Sequence, residues 1–166
     1  MLGPRTLALV VALLAALCAL PATAVASVSP SYTVSGIEVA ATSTQGTFVG
    51  TAQGSNGDSA AWKAVVQHQE LRSSCWTTGC TINPGGSLSV VNDQLSTITG
   101  SFTGGSVTLI SGASGCAIQT FHVVGNAATS VGARTFDVIL THYRVSIFGS
   151  CISYFATVSG TLRAPA

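Results

Sequence analysis

Charge is the scarcest property of this chain. Of its 166 residues, six are Lys or Arg and five are Asp or Glu, and lysine occurs once, at Lys63. No run of basic residues exists to hold a phosphate backbone, so nucleic-acid binding is excluded as the expected activity. The same scarcity leaves no polybasic stretch for an anionic membrane. High apolar content and the lack of charge runs also exclude intrinsic disorder as the organising state.

Several motifs are absent as well. There is no G-x-S-x-G elbow, no G-x-x-x-x-G-K-[ST] phosphate loop and no H-E-x-x-H zinc motif. No Asn-x-Ser/Thr acceptor occurs. The carboxylates are Glu38, Asp58, Glu70, Asp93 and Asp137, and no two of them form an obvious glycosidase pair. Asp58 and Asp93 fall in turn-forming stretches, where they suit turn geometry. Helical periodicity is missing after the first 26 residues, and so is any fixed repeat of solenoid length.

What is present begins with an export signal. Arg5 is followed by an apolar run over residues 7–20, then Pro21 and the A-x-A site Ala24-Val25-Ala26. The run is short for a bilayer span. Residues 1–26 are therefore expected to be a cleaved signal peptide, and residues 27–166 a single β domain that is secreted, with no membrane span after cleavage. Without Arg5 the basic and acidic side chains number five each. A neutral surface rich in Ser, Thr and Gly opposes self-association only weakly, so a homo-oligomer is compatible with it.

Four cysteines follow the leader: Cys75, Cys80, Cys116 and Cys151. In an exported chain they read as two disulfides. Cys75 and Cys80 enclose a tight clip of four residues. Cys116 and Cys151 each open an expected strand. As first and third strands of a meander these run parallel, which brings both cysteines to one end of the sheet. The expected bridges are Cys75–Cys80 and Cys116–Cys151.

From residue 32 onward, apolar residues alternate with Ser and Thr at period two, and β-branched and aromatic residues abound. The pattern predicts strands over 32–41, 47–53, 60–71, 87–92, 96–103, 106–111, 117–124, 135–147 and 152–162. Turn chemistry separates them at 54–58, 83–86, 104–105, 112–115 and 125–132, with Gly104-Gly105 at hairpin spacing. The fold class is thus all-β, an antiparallel meander of eight or nine strands. A closed or nearly closed barrel removes its edges; the alternative is a two-layer sandwich. Gly-(Ser/Thr)-(Phe/Leu) recurs at Gly46, Gly100 and Gly160, a pattern suited to bends in a barrel wall. The expected class is similar to small secreted lipocalin-like or avidin-like barrels, but the glycine–aromatic signature of those families is not there, and no family is assigned.

Strand alternation sorts the polar residues by face. In 60–71 the even positions carry Ala60, Trp62, Ala64, Val66, His68 and Glu70, while Lys63, Gln67 and Gln69 are odd. In 135–147 the even set holds Phe136, Val138, Leu140, His142 and Arg144; in 152–162 it holds Tyr154, Ala156 and Val158. By the same parity His122 falls with Ile118 and Val124. The inward candidates for a ligand site are therefore His68, Glu70, His142, Arg144 and Tyr154, with His122 beside them. Glu70 with Arg144 is the natural ion pair. The competing reading makes them half-exposed polar residues at strand ends. No catalytic residue, metal ligand or cofactor is assigned.

Three functions fit these features. The first is a non-enzymatic binding module for a small, mostly uncharged molecule. The second is a structural or adhesive envelope protein with a filled core. The third is a small barrel enzyme of isomerase or cyclase type, using His68, Glu70, His142 or Tyr154. An open lumen or a packed interior separates the first two.

Overall fold

A computed structural model describes residues 30–71 and 78–165. The expected leader and Cys75 lie outside these residues. Among the described residues nine strands follow one another without a helix: β1 (Tyr32–Ala41), β2 (Gln45–Gly54), β3 (Ser59–Gln67), β4 (Cys80–Ile82), β5 (Gly85–Asn92), β6 (Thr97–Ser111), β7 (Gln119–Thr129), β8 (Gly132–Ile147) and β9 (Ser150–Arg163). Every pairing is antiparallel. The order is β4-β6-β5-β3-β2-β1-β9-β8-β7, and β6 also pairs with β7. That last pairing closes an eight-stranded up-and-down barrel, with β4 as the extra strand. Closure leaves no long sheet edge, which is how the fold manages its low surface charge.

β4 is not an independent strand. Ile82 pairs with Gly105 and Gly85 with Phe102, so β4 and β5 lie in one line along β6. On the other side the Asn83 amide donates to the Gln67 carbonyl at 2.8 Å, and His68 bridges Ile82. The Asn83-Pro84-Gly85-Gly86 stretch, expected to be a reversal, is thus an interruption within a strand. Pro84 has no amide to give the ladder. Gly86 has φ +66°, and a Cβ there would sit 2.0 Å from the Val65 carbonyl oxygen.

The Gly104-Gly105 pair also departs from expectation. It is no hairpin: β6 runs through it, with a register shift between Phe102 and Gly104 against β7. A bulge inserts one residue and flips the parity of the strand. Phe102 before it and Val107 after it are both buried, at 5% exposure each. The three Gly-(Ser/Thr)-(Phe/Leu) segments all lie inside strands, and Phe48, Phe102 and Leu162 point into the barrel.

The barrel interior is built from alternate residues. Tyr32, Val34, Ala52, Trp62, Ala64, Leu88, Val90, Phe121, Val123, Phe136, Leu140, Val158 and Leu162 are all buried. Phe102 and Phe136 meet edge to face, 5.3 Å between ring centres. One end carries the turns 55–58, 93–96 and 130–131 together with both ends of the described chain. The other carries 42–44, residues 68–71, 112–118 and 148–149.

At this second end β8 and β9 project past their neighbours. β7 reaches β8 only as far as the Gln119–His142 pair, and β1 reaches β9 only as far as Ile37–Thr157. The arm beyond them is anchored by the Cys116–Cys151 disulfide, whose Cα atoms are 5.5 Å apart. β7 and β9 thus run in one direction and Cys116 and Cys151 meet at one end of the sheet, as expected. Cys80 is buried in the core at 1% exposure, and its expected partner Cys75 lies outside the described residues.

Candidate functional site

The interior is not filled. A cavity of about 310 Å³ runs inside the barrel and reaches the end marked by Ala41, Thr42, Ser43, His68, Glu70 and Leu71. Its walls are aliphatic and aromatic: Phe48, Trp62, Phe102 and Phe136, with Val66, Leu88, Val138, Leu140 and Val158 among others. Ala52 and Ala64 also line it, and their small side chains leave the volume that larger residues would occupy.

The indole of Trp62 is locked into the wall. Its Nε1–H donates to the carbonyls of Thr51 at 3.0 Å and Ser35 at 3.2 Å. The ring lies against Gly36, which pairs with Gly50. A Cβ on Gly36 would stand 2.6 Å from the Trp62 ring.

Polar chemistry enters the lumen chiefly through one row of side chains. Thr157 pairs with Ile37, so the next residue of β1, Glu38, comes level with Ala156 of β9. Ala156 pairs with His142 of β8. Glu38, Ala156 and His142 thus stand side by side on the inner face, and the small alanine lets the two long side chains meet over it. His142 Nε2 lies 3.4 Å from Glu38 Oε2, with the side chains 16% and 14% exposed. The approach is close enough for charge attraction, yet it lacks hydrogen-bond alignment, and the buried Nε2 has no hydrogen-bond partner. The His142 ring packs edgewise on Phe121, with centres 5.5 Å apart. Glu38 leans over Gly46, where a Cβ would come within 2.8 Å of its Oε1.

His68 and Glu70 sit at the rim. The His68 amide donates to the Thr44 carbonyl at 2.9 Å, tying the rim to the β1–β2 turn. Its Nδ1–H donates to the Gln69 carbonyl at 2.8 Å. Because a carbonyl only accepts, the proton resides on Nδ1, leaving Nε2 as the ring's free acceptor in the neutral form. Glu70 follows β3 on an exposed connection and lines the cavity mouth.

The structure thus brings His68, Glu70 and His142 to one cavity, but not Arg144 or Tyr154. Arg144 lies on the projecting arm, where its Nη1 donates to the Gly115 carbonyl at 3.4 Å. The expected Glu70–Arg144 pair is not formed. Tyr154 falls at a register shift in the β8–β9 ladder and is 66% exposed. That bulge breaks the parity from which its inward position was read.

His122 is corrected too. It faces outward and binds Asp137 at 2.8 Å, both side chains being nearly half exposed. On β7 the odd residues Phe121 and Val123 are the buried ones. Ile118 and Val124 made the wrong face look equally apolar.

Glu38 is the residue that sequence reading passed over. The signal was available, since Tyr32, Val34 and Glu38 share one parity on β1. Among the described residues no group of three or more His, Cys, Asp or Glu is placed to hold a metal ion. No described helix is long and apolar enough to cross a membrane. No family model, curated protein or solved structure matches the chain.

Proposed function

We propose that this protein is exported and works as a non-enzymatic binding barrel for a small, largely apolar molecule held in its lumen. The observation that carries the reading is the open cavity of about 310 Å³ inside a closed barrel. A volume at the lower end of small-molecule sites, an apolar wall and a few convergent polar groups are the usual composition of such pockets. A structural barrel has no need to leave its core unfilled, because unfilled core volume costs stability. A binding role is favoured because the cavity wall is chiefly aliphatic and aromatic, with few polar side chains among it. The Cys116–Cys151 bridge supports export to an oxidising compartment.

The test is titration with the neutral dye N-phenyl-1-naphthylamine. The dye is expected to bind saturably with one site and to brighten. Val66→Phe, which fills the cavity near its open end, should weaken binding at least ten-fold while the thermal midpoint stays within a few degrees. Unsaturable binding, or binding untouched by Val66→Phe, would remove the lumen as the site.

A further inference from the structure

We infer that the lumen recognises a lipophilic amine, a largely apolar body with one protonated nitrogen seated against Glu38. The inference rests on the lumen being the binding site and adds the charge of its ligand. Its starting point is the position of the Glu38 carboxylate. It is 14% exposed, on the inner face of the barrel, beside Phe48, Gly46 and Ala156. A carboxylate in apolar surroundings requires a counter-charge or well-aligned donors. No hydrogen bond reaches its oxygens among the described residues. The nearby His142 carries charge only when protonated, and its Nε2 at 3.4 Å is not aligned to donate.

The rest of the lining agrees in sign. Among the described residues, the ionisable side chains that face the cavity are Tyr32 and Glu38 from β1, His68 and Glu70 from the connection after β3, and His142 from β8. No Lys or Arg among the described residues lines it. The wall also offers aromatic rings, Phe48 and Trp62 among them, whose faces attract cations. Among the described residues the one buried cation, Arg134, is 2% exposed. It sits on β8 toward the opposite end of the barrel, pairs with Ala127, and does not line the cavity. An anionic ligand would meet Glu38 and be repelled; a neutral one would leave the carboxylate without its counter-charge. A protonated amine supplies both charge and donors, and its apolar body replaces water along the wall.

The experiment uses three probes of one shape: 1-adamantylmethylamine, 1-adamantylmethanol and 1-adamantanecarboxylate. Binding to the full mature protein is followed by calorimetry at neutral pH. The amine is expected to bind at least ten-fold more tightly than the alcohol, and the carboxylate most weakly. In Glu38→Gln the amine should fall to the level of the alcohol. The alcohol's own affinity should stay unchanged, which also shows that the variant is folded. Equal affinities in the wild type, or an amine preference that survives Glu38→Gln, would overturn the amine assignment and leave the binding barrel standing. A preference for the carboxylate would overturn it and make His68 and His142, which line the cavity, the groups that meet the ligand's charge. Failure of all three probes to bind would overturn both readings together.

Discussion

Gly36 pairs with Gly50 across β1 and β2, and the room left at Gly36 is taken by the ring of Trp62. The indole N–H ties that ring to two backbone carbonyls, so it cannot swing aside without losing both bonds. A methyl group on Gly36 would meet the Val49 carbonyl at 2.4 Å and the ring at 2.6 Å. Gly36→Ala should therefore destabilise the barrel by about 1–3 kcal/mol, the usual cost of overpacking. Urea unfolding in a Trp76→Phe background, which leaves Trp62 as the sole indole, measures it; an unchanged midpoint would show that the ring does not occupy that space. At this scale the sequence is legible where one face is clearly polar. Lys63 and Gln67 on β3 declared Trp62, Ala64 and Val66 to be interior, and the structure agrees. It is illegible where both faces are apolar, as around His122, or where a bulge changes parity, as at Tyr154. Glu38 shows a third limit: its partner His142 belongs to a strand a hundred residues away, and only the register of β1, β9 and β8 puts them in one row.

The arm of β8 and β9 is an element whose stability is local. Past His142 and Thr157 it is a two-stranded ribbon, which is marginal alone in water. Two attachments hold it to the 112–118 loop, the Cys116–Cys151 bridge and the Arg144–Gly115 hydrogen bond. Replacing both cysteines by Ser should cost about 3–4 kcal/mol, on the chain-entropy estimate for a bridge across 35 residues. The amides of the arm should then exchange faster than those of β2 and β3, because the bridge also tethers a ribbon that has no other neighbour. Uniform acceleration across the barrel would show that the bridge acts only through the unfolded chain. The arm ends in a turn of Phe148 and Gly149, both with positive φ, at 49° and 79°. Phe148 is fully exposed and carries a side chain in a region that L-residues avoid. Asn-Gly is the favoured pair for such a turn, so Phe148→Asn should stabilise the protein by about 0.5–1 kcal/mol. A thermal midpoint that falls would mean Phe148 makes contacts of its own. The pairing of Cys116 with Cys151 was legible because it depends only on strand direction. The arm was not, because nothing in the sequence says where β1 and β7 stop accompanying β9 and β8.

At the scale of the whole molecule, closure brings the two ends of the barrel's chain together. Tyr32 pairs with Leu162 in the β1–β9 ladder. The meander of eight or nine strands is read from alternation and turns alone, and it survives two local misreadings. Gly104-Gly105 and Asn83-Pro84-Gly85-Gly86 have the composition of turns but lie within strands. Turn composition reports a backbone that departs from the ladder, and a bulge departs from it as a reversal does. Circular permutation separates the two. Joining the ends near Tyr32 and Leu162 by a few Gly and Ser residues adds little strain, since paired strands lie about 5 Å apart. New ends at Gly57 fall in an exposed turn where a Cβ would meet nothing within 4 Å. That permutant should fold, keep its Cys116–Cys151 bridge and lose no more than about 1–2 kcal/mol, the range of tolerated loop changes. New ends between Asn83 and Pro84 make a different molecule. They turn β4 into a fraying tail, although Ile82 is 0% exposed and Cys80 1% exposed. Losing the packing of Ile82 alone costs about 2–5 kcal/mol on the scale of large-to-small core changes. The second permutant should therefore be less stable than the first by at least about 2 kcal/mol. Urea midpoints of the two, compared with equal slopes, decide the matter: equal stability would mean that 83–86 is a free loop and that β4 is not part of the β5 line.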